Sequence, residues 1–190
     1  MKNQRHNRLA FTLIELLVVI SIIGLLSSIA IVSMNSARTR ARDGKRQADI
    51  KQIVTAMQLY YDTNGKYPDA SGALGCNCGT LALDSCCLGY NDGQTCFAGF
   101  SHGCTALTAA LSPFMAKIPS DPAIPSGNYG DAYVYFDSSV TSGWVTTGPA
   151  LHWGYDQVSN ATNCLGGVFG QWGSASPGHS RYWCALTLKP

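Results

Sequence analysis

The residues of this chain that could do chemistry are mainly its cysteines. Eight occur among 190 residues, and all lie in the second half or just before it: Cys76, Cys78, Cys86, Cys87, Cys96, Cys104, Cys164 and Cys184. Cysteine thiolates bind zinc, act as nucleophiles or form disulfides. Structural zinc sites favour a C-x2-4-C spacing, which a Cys-x-Cys pair followed by an adjacent pair fits poorly. An even number of cysteines in a small region predicts a disulfide framework in an oxidising compartment, with no metal site.

Histidine and aromatic side chains offer the other chemical possibilities. His102 lies two residues before Cys104, but a disulfide cysteine beside a loop histidine is a simpler interpretation than a catalytic pair. His152 and Trp153 lie in a β-type segment and are interpreted as face residues of a sheet. The four Trp and nine Tyr residues could form a binding platform, although such residues more often fill cores and interfaces. We predict no catalytic residue and no cofactor, and so a protein that is not an enzyme.

Glu15 is the one formal charge in an apolar run of 24 residues, Phe11 to Met34. A run of about 20 apolar helical residues crosses a bilayer, and a single acid in mid-membrane costs roughly 2.5–3.5 kcal/mol. A position near the headgroups would make Glu15 tolerable. A paired charge would also be acceptable.

The ten residues before the run suggest such a partner. They carry Lys2, Arg5 and Arg8 without an acid, and end at Ala10. If the chain is cut between Ala10 and Phe11, the new α-amino group lies one helical turn from the Glu15 carboxylate.

The stretch RLA-FTLIELLVVISIIGLL resembles the leader and N-terminal helix of type IV prepilins. The resemblance covers residues 8 to about 35 and implies cleavage before Phe11 by a prepilin peptidase, followed by N-methylation of Phe11. It also implies that Glu15 neutralises the terminal amine of a neighbouring subunit during filament assembly. The usual residue before the cut is Gly, whereas this chain has Ala10.

Two other interpretations of the apolar run remain open. A secretory signal would be cut after it, for example at Asn35-Ser36-Ala37, but signal cores are only about 7–15 residues long. A permanent single-pass anchor fits the length. Neither explains why the acid comes shortly after the predicted cut.

Charge is unevenly distributed along the chain. From Phe11 onward there are 10 basic and 11 acidic residues, so no nucleic-acid partner is predicted. Six basic residues nevertheless crowd directly after the apolar run: Arg38, Arg40, Arg42, Lys45, Arg46 and Lys51. The positive-inside rule would place this side in the cytoplasm. We instead expect it outside, because of the prepilin-like leader and the disulfide-type cysteines.

Residues 35–62 predict a one-sided helical stripe, since Ile50, Ile53, Val54, Met57, Tyr60 and Tyr61 recur at helical spacing. No proline precedes Pro68, so this stripe and the apolar run predict one helix of about 52 residues, roughly 78 Å long. Thr63-Asn64-Gly65 should end it. We expect Tyr60, Tyr61 and Tyr67 to pack the C-terminal end of the helix against the domain that follows it, here called the head (residues 63–190).

The remaining residues, 63–190, predict a single small head. It divides into a cysteine-rich loop at about 72–104, a short helix at Thr105–Lys117 and an antiparallel β meander at about 132–188. The predicted strands are Ala132–Asp137, Trp144–Thr147, Leu151–Tyr155, Leu165–Phe169 and Tyr182–Leu188. The segments IVTAMQLYYDTNGKYPDA and IPSDP...YGDAYVYF resemble the major pseudopilin of type II secretion. Cys164 and Cys184 would staple the C-terminal part, as in pilins with a C-terminal disulfide loop. The absence of acids after Asp156 disfavours the calcium site common in major pseudopilins.

The predicted architecture is a pilin-like α+β fold. It consists of a leader (1–10), a transmembrane or filament-core half-helix (11–34), an amphipathic half-helix (35–62) and a disulfide-stapled sheet head (63–190). The predicted function is a structural subunit of a type IV pilus-like filament. Its expected partners are copies of itself, the prepilin peptidase, inner-membrane assembly machinery and, before assembly, the membrane. A pseudopilin of a type II secretion system and an adhesin head on a prepilin-type anchor are the alternatives.

Overall fold

The computed structural model describes residues 11–69, 85–89, 105–122, 133–137, 148–156, 164–171 and 182–190. It forms two compact units, one ending at Arg38 and the other running from Thr39 to Pro190. The predicted leader lies outside the described residues, as do the predicted strand at Trp144–Thr147 and four of the cysteines: Cys76, Cys78, Cys96 and Cys104.

The helix α1 runs from Leu13 to Asn64, a length of 52 residues. Its predicted length is therefore confirmed. Gly65 ends it in a left-handed conformation (φ 71°) and donates its amide to the carbonyl of Tyr61 at 2.7 Å. Only glycine adopts this conformation without steric cost, which is why it is favoured at helix C-termini.

The described part of the head contains a five-stranded antiparallel sheet and a short helix. The strands are β1 (Ser85–Leu88), β2 (Tyr133–Phe136), β3 (Ala150–Tyr155), β4 (Val168–Gln171) and β5 (Tyr182–Thr187), and α2 (Thr105–Leu111) lies between β1 and β2 in sequence. The strand order in the sheet is β1-β2-β3-β5-β4. Every neighbouring pair is antiparallel. The predicted α+β fold class is confirmed.

The core lies between one face of this sheet and the apolar stripe of α1. Ile50, Ile53 and Met57 are fully buried, and Val54, Tyr60 and Tyr61 pack partly buried against the same cluster. Side chains alternate across a strand, so β3 contributes Leu151, Trp153 and Tyr155 to this core. The predicted stripe is thus the face of α1 that packs on the head.

The predicted meander is wrong in its last part. Strand β5 inserts between β3 and β4, where Trp153 pairs with Cys184 in register. The predicted strand at Leu165–Phe169 begins instead at Val168, because Cys164 to Gly167 form a turn in which Leu165 has a φ of 52°. A β-carbon on Gly167 would clash with the carbonyl of Ala185 in β5, so only glycine permits this close approach.

Two other boundaries differ from the sequence predictions. The helix expected at Thr105–Lys117 ends at Leu111, because Pro113 lacks an amide hydrogen and disfavours a helical conformation at Ser112. Strand β1 lies within the region predicted to be a cysteine-rich loop. Its four residues, Ser-Cys-Cys-Leu, carry too short a pattern to indicate a strand without the partner β2.

Candidate assembly site and its connection to the head

Glu15 takes part in a capping box at the first turn of α1. Its carboxylate Oε2 accepts hydrogen bonds from the backbone amide of Thr12 at 2.9 Å and from the Thr12 hydroxyl at 2.8 Å. The amide of Glu15 in turn donates to the Thr12 hydroxyl at 3.2 Å. This reciprocal pattern at a T-x-x-E sequence satisfies backbone donors that a helix N-terminus leaves without partners.

The capping box gives Glu15 a role within its own chain that was not predicted from the sequence. The segment Thr-Leu-Ile-Glu is nevertheless the sequence signal for a capping box. The capping carboxylate and the predicted amine-pairing carboxylate are the same group. The predicted cleavage site comprises Ala10, which lies outside the described residues, and Phe11, which is 81% exposed. Cleavage, methylation of Phe11 and the assembly role of Glu15 stay predictions.

The first half of α1 is apolar on all sides and exposed on all sides. Leu13, Leu25 and Ile29 are each more than 60% exposed, and residues on another face of the same segment, such as Leu16 and Ile23, are more than half exposed. By length and composition α1 could cross a membrane. Such a surface requires lipid or other apolar helices around it.

The second half of α1 is joined to the head by buried and partly buried ion pairs, here named the Arg46 cluster (Arg42, Asp43, Arg46, Asp121 and Asp156). The Arg46 side chain is fully buried and forms a bidentate pair with Asp121, with Nε–Oδ2 and Nη2–Oδ1 distances of 2.9 and 3.0 Å. Its Nη1 contacts Asp43 at 2.8 Å and Asp156 at 3.1 Å. Arg42 pairs with Asp156 at 2.6 Å.

The electrostatics of the cluster follow from its burial. Desolvation alone would lower the pKa of Arg46, but hydrogen bonds and charge from Asp121, together with the charges of Asp156 and Asp43, raise it above its ordinary value. The neighbouring Tyr133 donates to Asp49 at 2.9 Å, and burial, then the charge of Asp121, raises the pKa of this phenol. Arg46 is therefore charged, and its guanidinium contacts three carboxylates, of which that of Asp156 is also paired with Arg42.

Tyrosines join the upper end of α1 to the head. Tyr67 packs against Tyr61 with ring centroids 4.8 Å apart and donates its hydroxyl to the carbonyl of Lys189 at 2.6 Å. Tyr60 contacts Phe114 edge-on at 6.0 Å. The expected closure of the helix top by Tyr60, Tyr61 and Tyr67 is what the structure shows.

The described cysteines lie on the sheet and beside it. Cys164 is disulfide-bonded to Cys184 across 20 residues of sequence, as the resemblance to pilins implied. Cys87 is also disulfide-bonded, while Cys86 is buried in the core cluster. Neighbouring residues of a strand point to opposite faces, which supports different surroundings for Cys86 and Cys87. Oxidation of all eight cysteines stays a prediction.

Removing the bond between Cys164 and Cys184 is expected to destabilise the head. For a loop of this length, loop-closure entropy predicts a loss of about 3 kcal/mol. The measurement is denaturant unfolding of the full chain in detergent, with Cys164→Ala, Cys184→Ala and the double variant compared. The double variant should lose no more unfolding free energy than either single variant, since the same disulfide bond is lost in each case. A double variant as stable as the native chain would contradict the expectation.

His152 lies on the face of the sheet opposite to α1, between two aromatic rings. Its ring centroid is 4.7 Å from that of Phe136 and 5.9 Å from that of Trp183, to which it is parallel. The residue is 8% exposed, and Nε2 has no hydrogen-bond partner among the residues that the structure describes. Burial lowers the pKa of His152 to about 4. The interpretation of His152 and Trp153 as face residues of the sheet agrees with this geometry.

The low pKa predicts a stability change in mild acid. An unfolded histidine takes up a proton near pH 6.5, whereas folded His152 does so only near pH 4. Stability should therefore fall as pH decreases between these values, by up to about 3 kcal/mol in total. Unfolding of native protein and His152→Phe should be compared from pH 7 to pH 4, because carboxylate effects are common to both. Identical pH profiles for the two proteins would refute the assignment.

These features define a pilin-like α+β fold: a helix with an exposed apolar half, attached through its amphipathic half to a small antiparallel sheet. Residues 5–31 match the family model described as the prokaryotic N-terminal methylation motif. No solved structure matches the chain with significance.

Three curated proteins illustrate the similarity. The chain is 32% identical to the type IV major pilin protein PilA of Myxococcus xanthus over 34% of this chain and 30% of that protein. It is 34% identical to the type II secretion system core protein G of Pseudomonas aeruginosa over 37% of this chain and 50% of that protein. It is 38% identical to the type IV wide pilus major component PilA4 of Thermus thermophilus over 36% of this chain and 53% of that protein.

The matched region spans about half or less of each of these relatives. The motif and the relatives support the type IV pilin and pseudopilin family for this chain, and so confirm the resemblance drawn from the N-terminal sequence. The methylation motif and the exposed apolar helix fit a membrane-anchored precursor.

Proposed function

We propose that this chain is a structural subunit of a type IV pilus-like filament, and that α1 packs against α1 of other copies after the leader is removed. The observation that carries the proposal is the exposed apolar half of α1, most of which lies within the methylation motif at residues 5–31. Transfer of this surface from lipid to a bundle of identical helices keeps it out of water at every stage. The family supported by the comparisons is one of structural subunits, so the proposal requires no catalytic residue.

The proposed partners follow from this route. A prepilin peptidase would cut between Ala10 and Phe11 and methylate the new amine, and inner-membrane machinery would extract the subunit from the bilayer. Other copies of the chain would then surround α1. The head, held on α1 by the Arg46 cluster and the apolar stripe, would face outward.

A pseudopilin of a type II secretion system is the second candidate. It is favoured by the similarity to core protein G of Pseudomonas aeruginosa and of Aeromonas hydrophila. Electron microscopy distinguishes the two, since a pilus is a long filament shed from the cell and a pseudopilus is a short assembly spanning the periplasm. A low-copy subunit at a filament tip would instead indicate the adhesin head on a prepilin-type anchor.

Mass spectrometry of the purified chain tests the processing step. The mature protein is expected to begin at Phe11 and to carry one additional methyl group on its α-amine. An unprocessed start at Met1, or a start at Arg38 after conventional signal cleavage, would rule out the prepilin route. The matched variant Ala10→Gly, which introduces the residue usual before the cut, should be processed at the same bond.

A further inference from the structure

The structure divides the basic residues that follow the apolar run into two sets. Arg42, Lys45 and Arg46 contact acidic side chains of the head or of α1. Arg38 and Arg40 are exposed, and no ion pair is formed by either within the residues that the structure describes. These two sets cannot be told apart from the sequence alone, because all five residues lie within nine positions.

Arg38 and Arg40 lie close to the end of the apolar run. At 1.5 Å per residue, Arg38 is about 6 Å and Arg40 about 9 Å beyond Met34 along the helix. The polar layer on each side of a bilayer is about 5–8 Å thick. Nη2 of Arg38 donates to Sδ of Met34 at 3.8 Å, so this guanidinium is directed back toward the apolar run. Both charges therefore lie at headgroup depth when the run spans a membrane.

We propose that Arg38 and Arg40 bind the phosphates of anionic phospholipids at the membrane surface where α1 leaves the apolar layer. A guanidinium presents paired donors that match phosphate oxygens, and neither arginine would give up an ion pair with a described residue to bind them. The proposal rests on the membrane-anchored precursor within the proposed function. It also accounts for basic residues on the side where the positive-inside rule does not expect them.

The test uses the full chain in nanodiscs of phosphatidylcholine with 20 mol% phosphatidylglycerol, at an ionic strength of about 0.1 M. Native mass spectrometry measures the ratio of phosphatidylglycerol to phosphatidylcholine molecules retained by each chain. A basic residue near an anionic surface contributes enough to change binding about fivefold. Arg38→Gln or Arg40→Gln should each lower the enrichment by about that factor, and the double variant by about 25-fold.

Lys51→Gln with Lys66→Gln is the matched control, since it removes the same charge from exposed residues. Lys51 is about 25 Å beyond Met34, further than the Debye length of about 10 Å at 0.1 M salt. This control should retain native enrichment. Equal losses in the control and the arginine double variant, or native enrichment in the double variant, would overturn the proposal.

A third outcome would assign the arginines to a different partner. If the double variant keeps native lipid enrichment but forms no filaments, Arg38 and Arg40 contact acidic groups of a neighbouring copy, and the lipid proposal is wrong. The lipid measurement does not depend on filament formation. A chain that binds phosphatidylglycerol as expected but never forms filaments would contradict the proposed function and leave the lipid site standing.

Discussion

Glu15→Gln is expected to leave processed monomer in the membrane and few or no filaments. Gln at the third position of a helix still supports a capping box, so the hydrogen bonds with Thr12 can persist while the charge is lost. If Glu15 neutralises the amine of a neighbouring subunit in the filament, its removal leaves that amine buried without a counter-charge. Losing one partner of a buried pair costs about 3–5 kcal/mol.

This cost recurs at each subunit contact. Even its lower limit lowers the equilibrium constant for adding one subunit by more than about a hundredfold. Monomer in the membrane should be little affected, because a carboxylate near the end of the span can reach the headgroup region. The measurements are quantitative immunoblots of membrane and sheared-filament fractions, together with the mass of the mature N-terminus.

Thr12→Val is the matched control for the capping box. It removes the hydroxyl that exchanges hydrogen bonds with Glu15 and retains the Glu15 charge. Loss of an N-cap costs about 1 kcal/mol. This is much less than the cost of leaving a buried charge without its partner, so this variant should still form filaments. Normal filaments from Glu15→Gln, or failure of Thr12→Val alone, would show that Glu15 acts through the helix cap and not through its charge.

The long helix could be predicted because its signals are local. The apolar run, the stripe from Ile50 to Tyr61 and the stop at Gly65 each depend on residues within one or two turns of one another. The same holds for most of the strands, whose β-forming residues are contiguous. Strand order is a different kind of property, since the insertion of β5 between β3 and β4 depends on pairing across the whole head.

The Arg46 cluster shows why the rest of the site was not predictable. Arg46 lies in a run of charged residues that resembles a solvated helix face, and its principal partner Asp121 is 75 residues away in sequence. One signal was present, because Arg46 lies four residues before Ile50 and therefore on the same face of α1. The sequence shows that the basic residues are unevenly distributed, but only the fold shows which of these basic residues are buried.

Replacement of Arg46 is expected to have the largest effect on the stability of the head. Arg46→Met keeps much of the side-chain volume but leaves three carboxylates without the guanidinium that contacts them. Asp156 would retain Arg42, whereas the fully buried Asp121 would lose its bidentate partner. Breaking a buried pair in this way costs about 3–5 kcal/mol.

Asp121→Asn should destabilise the head less than Arg46→Met, because Arg46 would still contact Asp43 and Asp156. Arg40→Gln, an exposed substitution on the same helix, should change stability by no more than about 0.5 kcal/mol. Unfolding of the full chain in detergent can be followed through the fluorescence of the buried Trp153. A loss below about 1 kcal/mol for Arg46→Met would mean that water reaches the three carboxylates, and that the apolar stripe alone holds α1 on the sheet.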